Sequence, residues 1–234
     1  MLAALVPVLT LAADGANRSM FGGAYVVDNY ALVMKAFFLV VAYVTILLAN
    51  DYIDRGDYYR GEFYFLILSS LLGMTVMASA RDLLTIFIAL ETLSIPTYLL
   101  AGWRKHDVKS NEASLKYYLI GVLATAVMLY GMSMVFGITG SLSLSEIATY
   151  VSSTSEPPLL LMAIFLTLVG FAFKVSAVPF HFWAPDTYEG APTPFVAFLS
   201  VAPKAGGLAA LCVVLLSGWS QAEAVWAPAL GLVS

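Results

Sequence analysis

The ionisable residues of this chain are few, and those set in apolar sequence are the ones able to do chemistry. Lys174 stands near the end of a long apolar run, followed closely by Pro179, His181, Pro185 and Asp186. Lys204 follows Pro203 in a second apolar run, and Glu91 lies in a third. A lysine at the centre of a membrane helix costs roughly 2.5–3.5 kcal/mol on insertion scales. Burial disfavours the charged form of such a group, and a nearby opposite charge restores it. A buried lysine whose carboxylate partner approaches or withdraws can thus hold and release a proton. Glu91 is the expected partner of Lys174. His181, just past the expected helix break, is a candidate relay, because histidine ordinarily titrates near neutrality.

Plainer roles stand beside these. Glu112 and Lys116, four residues apart, suit an ordinary ion pair at a helix start. Lys35 and Arg81 fit side chains snorkelling to an interface. Lys174 is near enough to a helix end to do the same. Glu91 and Lys204, deeper in their runs, lack that exit, and for them the plain alternative is a structural ion pair. Cys212, in an apolar run, suits a small filler.

The elements that must position these residues follow from composition. Of 234 residues, 61% are hydrophobic and 11% charged, against about 25% charged in an average soluble domain. That balance implies an all-α, polytopic transmembrane helix bundle. A net charge of −4 with scattered basic residues argues against a nucleic-acid partner and leaves the lipid bilayer. A single cysteine excludes a disulfide framework within the chain and a cysteine-ligated cluster.

Three segments are expected. Residues 1–27 read as a partial upstream helix or interfacial segment, too short in their apolar part to cross ~30 Å of hydrocarbon. They also lack the basic start of a signal peptide. Residues 28–220 form the transmembrane module, with spans at 28–50, 62–80, 83–103, 113–138, 158–178 and 194–218. Residues 221–234 read as the truncated start of a following segment, so the chain looks like a fragment. Residues 51–61 are expected as a solvated loop, and 140–157 as a polar loop without Lys or Arg.

Arg55, Arg60, Arg104, Lys105, Lys109 and Lys116 fall on one side of the alternating helix count, with Arg18, Arg81 and Lys35 on the other. The positive-inside rule makes the first side cytoplasmic. Tyr58, Tyr59, Tyr117, Tyr118, Trp103 and Trp183 are expected in interfacial aromatic belts. Pro179 and Pro185 are expected to break the Lys174 helix, and Pro203 to weaken the hydrogen-bond ladder beside Lys204. Broken helices at membrane depth are a transporter device.

The run Phe173-Lys174, Ser176, Val178-Pro179-Phe180-His181, Trp183, Pro185-Asp186, Tyr188-Glu189-Gly190-Ala191-Pro192-Thr193-Pro194, with Pro203-Lys204 beyond it, resembles the antiporter-like membrane subunits of respiratory complex I. Its ending is similar to the branch called subunit N, or subunit 2. Leu90-Glu91-Thr92-Leu93-Ser94-Ile95-Pro96 resembles the family helix with the essential glutamate, and Glu112 through Tyr118 the next helix, with a further lysine. The similarity runs from about Glu62 to Leu211.

This resemblance implies a proton-translocating subunit of NADH:quinone oxidoreductase in a bacterial cell membrane. Its proton-path residues would be Glu91, Lys174 and Lys204, with Lys116 added. It implies the first half of an inverted-repeat fold, with neighbouring membrane-arm subunits as partners. NADH, FMN, iron–sulfur clusters and quinone would be used by other subunits, with no cofactor or metal in this chain. A subunit of a multisubunit cation/proton antiporter is the alternative, and a structural membrane scaffold the third reading.

Overall fold

Within a bilayer no water satisfies backbone polar groups, so an apolar chain must form helices. The computed structural model describes residues 2–15, 17–56, 60–153 and 158–233. Helix α1 (Leu2–Ala13) leads into a short antiparallel hairpin of β1 (Arg18–Met20) and β2 (Tyr25–Val27). Then follow α2 (Asn29–Arg55), α3 (Arg60–Ser79), α4 (Leu83–Ala101), α5 (Val108–Thr139) and α6 (Leu144–Ser153). The described chain closes with α7 (Pro158–Val175), α8 (Trp183–Gly190), α9 (Thr193–Val213) and α10 (Glu223–Val233). Among the described residues, 6 helices are long and apolar enough to cross a membrane, and they match the six expected spans.

Local chemistry sets the helix ends. The side chains of Asp28, Asp82 and Asp107 accept from the backbone N–H of Ala31, Thr85 and Lys109, capping α2, α4 and α5. Gly140 ends α5 in the left-handed conformation, φ 71°. Helix α5 has 32 residues, roughly 48 Å at 1.5 Å per residue. That exceeds a hydrocarbon core of ~30 Å, so its charged first turns project beyond it.

The connections alternate between two ends, as the helix count requires. At one end the hairpin, the α3–α4 link and the segment before α6 meet through bridges Tyr25–Ala80 and Asp82–Ser143. Arg81 pairs there with Asp28 at 2.7 Å. At the other end Arg55, Arg104, Thr193 and Pro194 line one depression, and Arg104 donates to the Gly190 carbonyl at 2.8 Å.

Small residues let the helices approach, as is usual in membrane bundles. A Cβ on Gly73 of α3 would strike the backbone of Ala89 and Leu93 on α4. One on Gly131 of α5 would strike the backbone of Thr167 on α7.

Several expectations are corrected. Helix α2 continues through Asp51 to Arg55, into the stretch expected as loop, because Ile53 on its added turn is buried in the core, with an exposed i,i+4 pair, Arg55–Asp51, beside it. Residues 57–59, with the expected belt residues Tyr58 and Tyr59, lie outside the described residues, as do 154–157 of the polar loop. That loop otherwise holds the amphipathic helix α6, whose Leu144, Ile147 and Val151 are buried. Tyr117, Trp183 and Trp103 are core residues rather than belt residues. Lys35 is buried, its ammonium donating to the Tyr25 hydroxyl at 2.9 Å on the hairpin.

Candidate functional site: a buried lysine between hydroxyls

Lys174 is 1% exposed, one of the largest fully buried side chains. It occupies the last turn of α7, where unpaired carbonyls and the helix dipole favour a cation. The helix does not end at Pro179, as expected, but at Val175. Ser176 adopts φ 61° and the Ala177 N–H reaches back to the Ala172 carbonyl at 2.8 Å, a Schellman-type ending. Serine in the left-handed region is strained, so the packing around the break holds it there.

The Lys174 ammonium donates to the Ser94 hydroxyl at 2.9 Å and to the Tyr117 hydroxyl at 3.4 Å. Both hydroxyls are oriented to receive it. Ser94 gives its own hydrogen to the Leu90 carbonyl at 2.5 Å. Thr97 donates to the Ser94 carbonyl, leaving its oxygen free to accept from Tyr117 at 3.2 Å. The rings of Tyr98 and Tyr117 lie 5.9 and 5.8 Å from the ammonium, near the outer limit for cation–π attraction. Hydrogen bonds to a charged group are worth about 1.5–3 kcal/mol each. Two of them are comparable to the insertion cost of ~2.5–3.5 kcal/mol.

Glu91 and Lys174 sense one another electrostatically, yet among the described residues they form no ion pair. Ser94, one turn along α4 from Glu91, takes the contact expected of the carboxylate. Glu91 faces Thr125 of α5, and its Oε1 is buried with no partner among the described residues.

Lys204 is half-buried in α9, with its ammonium 5.3 Å from the centroid of the Tyr188 ring on α8. Helix α9 runs unbroken through Pro203, so the proline does not break the helix beside Lys204. Proline there removes only the N–H that would reach the Leu199 carbonyl. Helices α7 and α9 meet where Gly207 leaves room for the Lys174 stem, since a Cβ there would lie 3.1 Å from it.

Pro185, also expected as a break, sits in the first turn of α8, where a missing N–H costs nothing. Lys116 is partly exposed and bridges Glu112 and Asp186, each at 2.6 Å, the plain reading for this residue extended by a second carboxylate. His181 stacks near Phe182, and its Nδ1 is buried without a partner among the described residues.

Sequence reasoning missed the hydroxyl groups. Ser94, Thr97 and Tyr98 follow Glu91 by three, six and seven residues and so share a face of α4. Tyr117, Gly121 and Thr125 repeat at four on α5. The Tyr98 hydroxyl fits only because residue 121 has no Cβ.

A family model described as NADH:quinone oxidoreductase/Mrp antiporter, TM, matches residues 80–234. The chain belongs to the NADH:quinone oxidoreductase/Mrp antiporter family. Its multi-pass membrane architecture agrees with the six spanning helices. Among curated relatives of this family, NADH-quinone oxidoreductase subunit N of Trichlorobacter lovleyi is 42% identical over 222 residues, covering 94% of this chain and 46% of that protein. The chain thus spans about half the length of the curated relatives it matches. Among solved structures, respiratory complex I from Thermus thermophilus with bound aureothin matches with TM-score 0.78 and 41% identity. That match covers 91% of this chain and 45% of the other. The Mrp complex from Dietzia sp. matches with TM-score 0.77 at 20% identity, over 95% of this chain and 42% of that one, a likeness of fold alone.

Proposed function

We propose that this chain is the lysine-bearing part of a proton-translocating membrane subunit of an NADH:quinone oxidoreductase. In this reading Lys174 holds the transported proton, Glu91 adjusts its hold from α4, and Lys204 takes the proton onward. The observation that carries it is the fully buried Lys174 ammonium, whose hydrogen-bond partners among the described residues are neutral hydroxyls. A lysine serving the fold alone gains little from such a place, since an apolar side chain fills it at lower cost. Because Glu91 stands off beyond ion-pair distance, a small approach of α4 toward α7 favours the proton-loaded form and withdrawal favours release.

Lys116 joins the account as a charged strap between α5 and α8 at the basic end. By the positive-inside rule that end faces the cytoplasm. NADH oxidation, the flavin and iron–sulfur groups and quinone reduction fall to other subunits, with neighbouring membrane-arm subunits as the partners. The cation/proton antiporter alternative draws less support, because the Thermus structure is 41% identical and the Mrp structure 20%.

The test is Glu91→Ala and Lys204→Ala in the full-length protein, assayed for quinone-dependent proton pumping in membrane vesicles. Each is expected to lose pumping by roughly 10²-fold, the usual contribution of a positioned proton-transfer group. Unchanged pumping in both variants would sink the proton-path reading. Transport without any redox arm would favour the antiporter.

A further inference from the structure

Lys35 is 9% exposed and lies two turns into α2, yet among the described residues no carboxylate pairs with it. Its ammonium donates to the Tyr25 hydroxyl at 2.9 Å and lies 4.8 Å from the centroid of the same ring. The nearest acid along the chain, Asp28, is already engaged. One of its oxygens caps α2 and the other pairs with Arg81 at 2.7 Å. A buried cation beside a neutral partner is expensive in a membrane and marks a place where the charge is used.

Lys35 and Tyr25 line one end of an open groove of about 380 Å³ between α1, α2 and α3. That end lies at the membrane edge, where the hairpin meets the close of α3 through the Tyr25–Ala80 bridge. Thr75 of α3 lines the same end, one turn before Ser79. Below it the lining becomes apolar. Leu39 lies one turn deeper than Lys35 on α2, and Leu72 and Leu68 lie one and two turns deeper than Thr75 on α3. Leu68 and Leu72 are exposed, which alone is ordinary for a helix facing lipid. The polar end is what distinguishes the groove.

That end offers donors. An ammonium has three N–H groups, and Lys35 directs one to Tyr25. Because the Tyr25 oxygen accepts there, its own O–H is left to donate, and among the described residues nothing receives it. Thr75 turns its hydrogen to the Leu72 carbonyl at 2.9 Å. No carboxylate lines the groove. Its complement is therefore a negatively charged acceptor at the membrane edge, carried on an apolar stem.

We propose that this groove binds an anionic phospholipid. The phosphodiester oxygens accept from the Lys35 ammonium and the Tyr25 hydroxyl in charge-assisted hydrogen bonds. One acyl chain runs down past Leu39, Leu72 and Leu68. A headgroup of net negative charge is favoured over a zwitterionic one, because the groove has no carboxylate to receive an ammonium. The lipid comes from the leaflet at the hairpin end, which the positive-inside rule makes the outer one.

The experiment places the full-length protein, in its assembled membrane complex, in vesicles containing phosphatidylglycerol with a photoactivatable diazirine in its acyl chain. Peptide mass spectrometry after illumination locates the adducts. They are expected on α3 around Leu68 and Leu72, and unlabelled phosphatidylglycerol should displace them at roughly fivefold lower concentration than phosphatidylcholine. Lys35→Met should lower these adducts about tenfold, the loss of one hydrogen bond to a charged group. Lys35→Arg should keep them, and adducts at Leu123, exposed on α5, should not change in either variant. Equal displacement by the two lipids overturns the proposal. So do undiminished adducts in Lys35→Met, or a groove that takes no label in the wild type. If Lys35→Met fails to assemble, the displacement series on the wild-type complex decides by itself.

Discussion

Lys174→Met in the full-length protein is expected to lower proton pumping by roughly 10²-fold while leaving the thermal midpoint unchanged or raised. Methionine approximates the length and volume of lysine without its charge. Removing the ammonium strands no donor: Ser94 still gives its hydrogen to the Leu90 carbonyl, and Tyr117 still has Thr97. Replacing a buried charge with a well-packed apolar side chain is often neutral or stabilising by about 1–4 kcal/mol. Phe173, Tyr98 and Tyr117 already surround the site with aromatic surface. Loss of function without loss of stability is the signature of a charge kept for transport. Thermal unfolding of the purified variant beside a vesicle pumping assay reads both quantities. A clear drop in midpoint with pumping retained would mark Lys174 as a structural charge.

Gly131→Val should have the largest effect on stability. Its Cβ would enter the Thr167 backbone and the Leu166 side chain of α7, and backbone cannot swing aside as a side chain can. Overpacking of this kind costs about 1–3 kcal/mol, occasionally more. The displacement also reaches the site, since Thr167 lies two turns before Lys174 on the same helix, and pushing α7 outward draws the ammonium from Ser94. Gly137→Val is the matched control on α5, because nothing lies within 4 Å of its added Cβ. That variant should stay within about 0.5 kcal/mol of the wild type. Equal yields and midpoints for the two would contradict the close α5–α7 crossing.

The spanning helices were legible because twenty-residue apolar runs in a membrane have one stable form. Glu91, Lys174 and Lys204 stood out for the same reason, as charges where charge is expensive. The partners of Lys174 were less legible. Serine, threonine and tyrosine are common inside membrane helices, bonding their own backbone as Thr92 does with Ile88. Only the crossing of α4, α5 and α7 distinguishes Ser94 and Tyr117 from such neighbours. Composition points to Pro179 as the helix break, whereas the break depends on the φ of Ser176, which no propensity favours. Trp183 and Tyr117 looked like belt residues because aromatics near helix ends usually are. The turn that folds α8 back over the lysine buries both, and that turn is a tertiary fact. Helix α6 was hidden by the serines around it, although Leu144, Ile147 and Val151 carried a helical spacing.

The proposed proton path makes Lys174 and Lys204 successive stations for one proton. The decisive measurement is the proton-to-electron ratio of the assembled complex in sealed vesicles, for Lys174→Met, Lys204→Ala and the two combined. Residues acting as one unit are non-additive, so a path blocked at one station loses nothing more when the second is removed. The double variant is expected to match the more impaired single variant. A double variant whose loss is the product of the two single losses, or single variants that pump like the wild type, would contradict it.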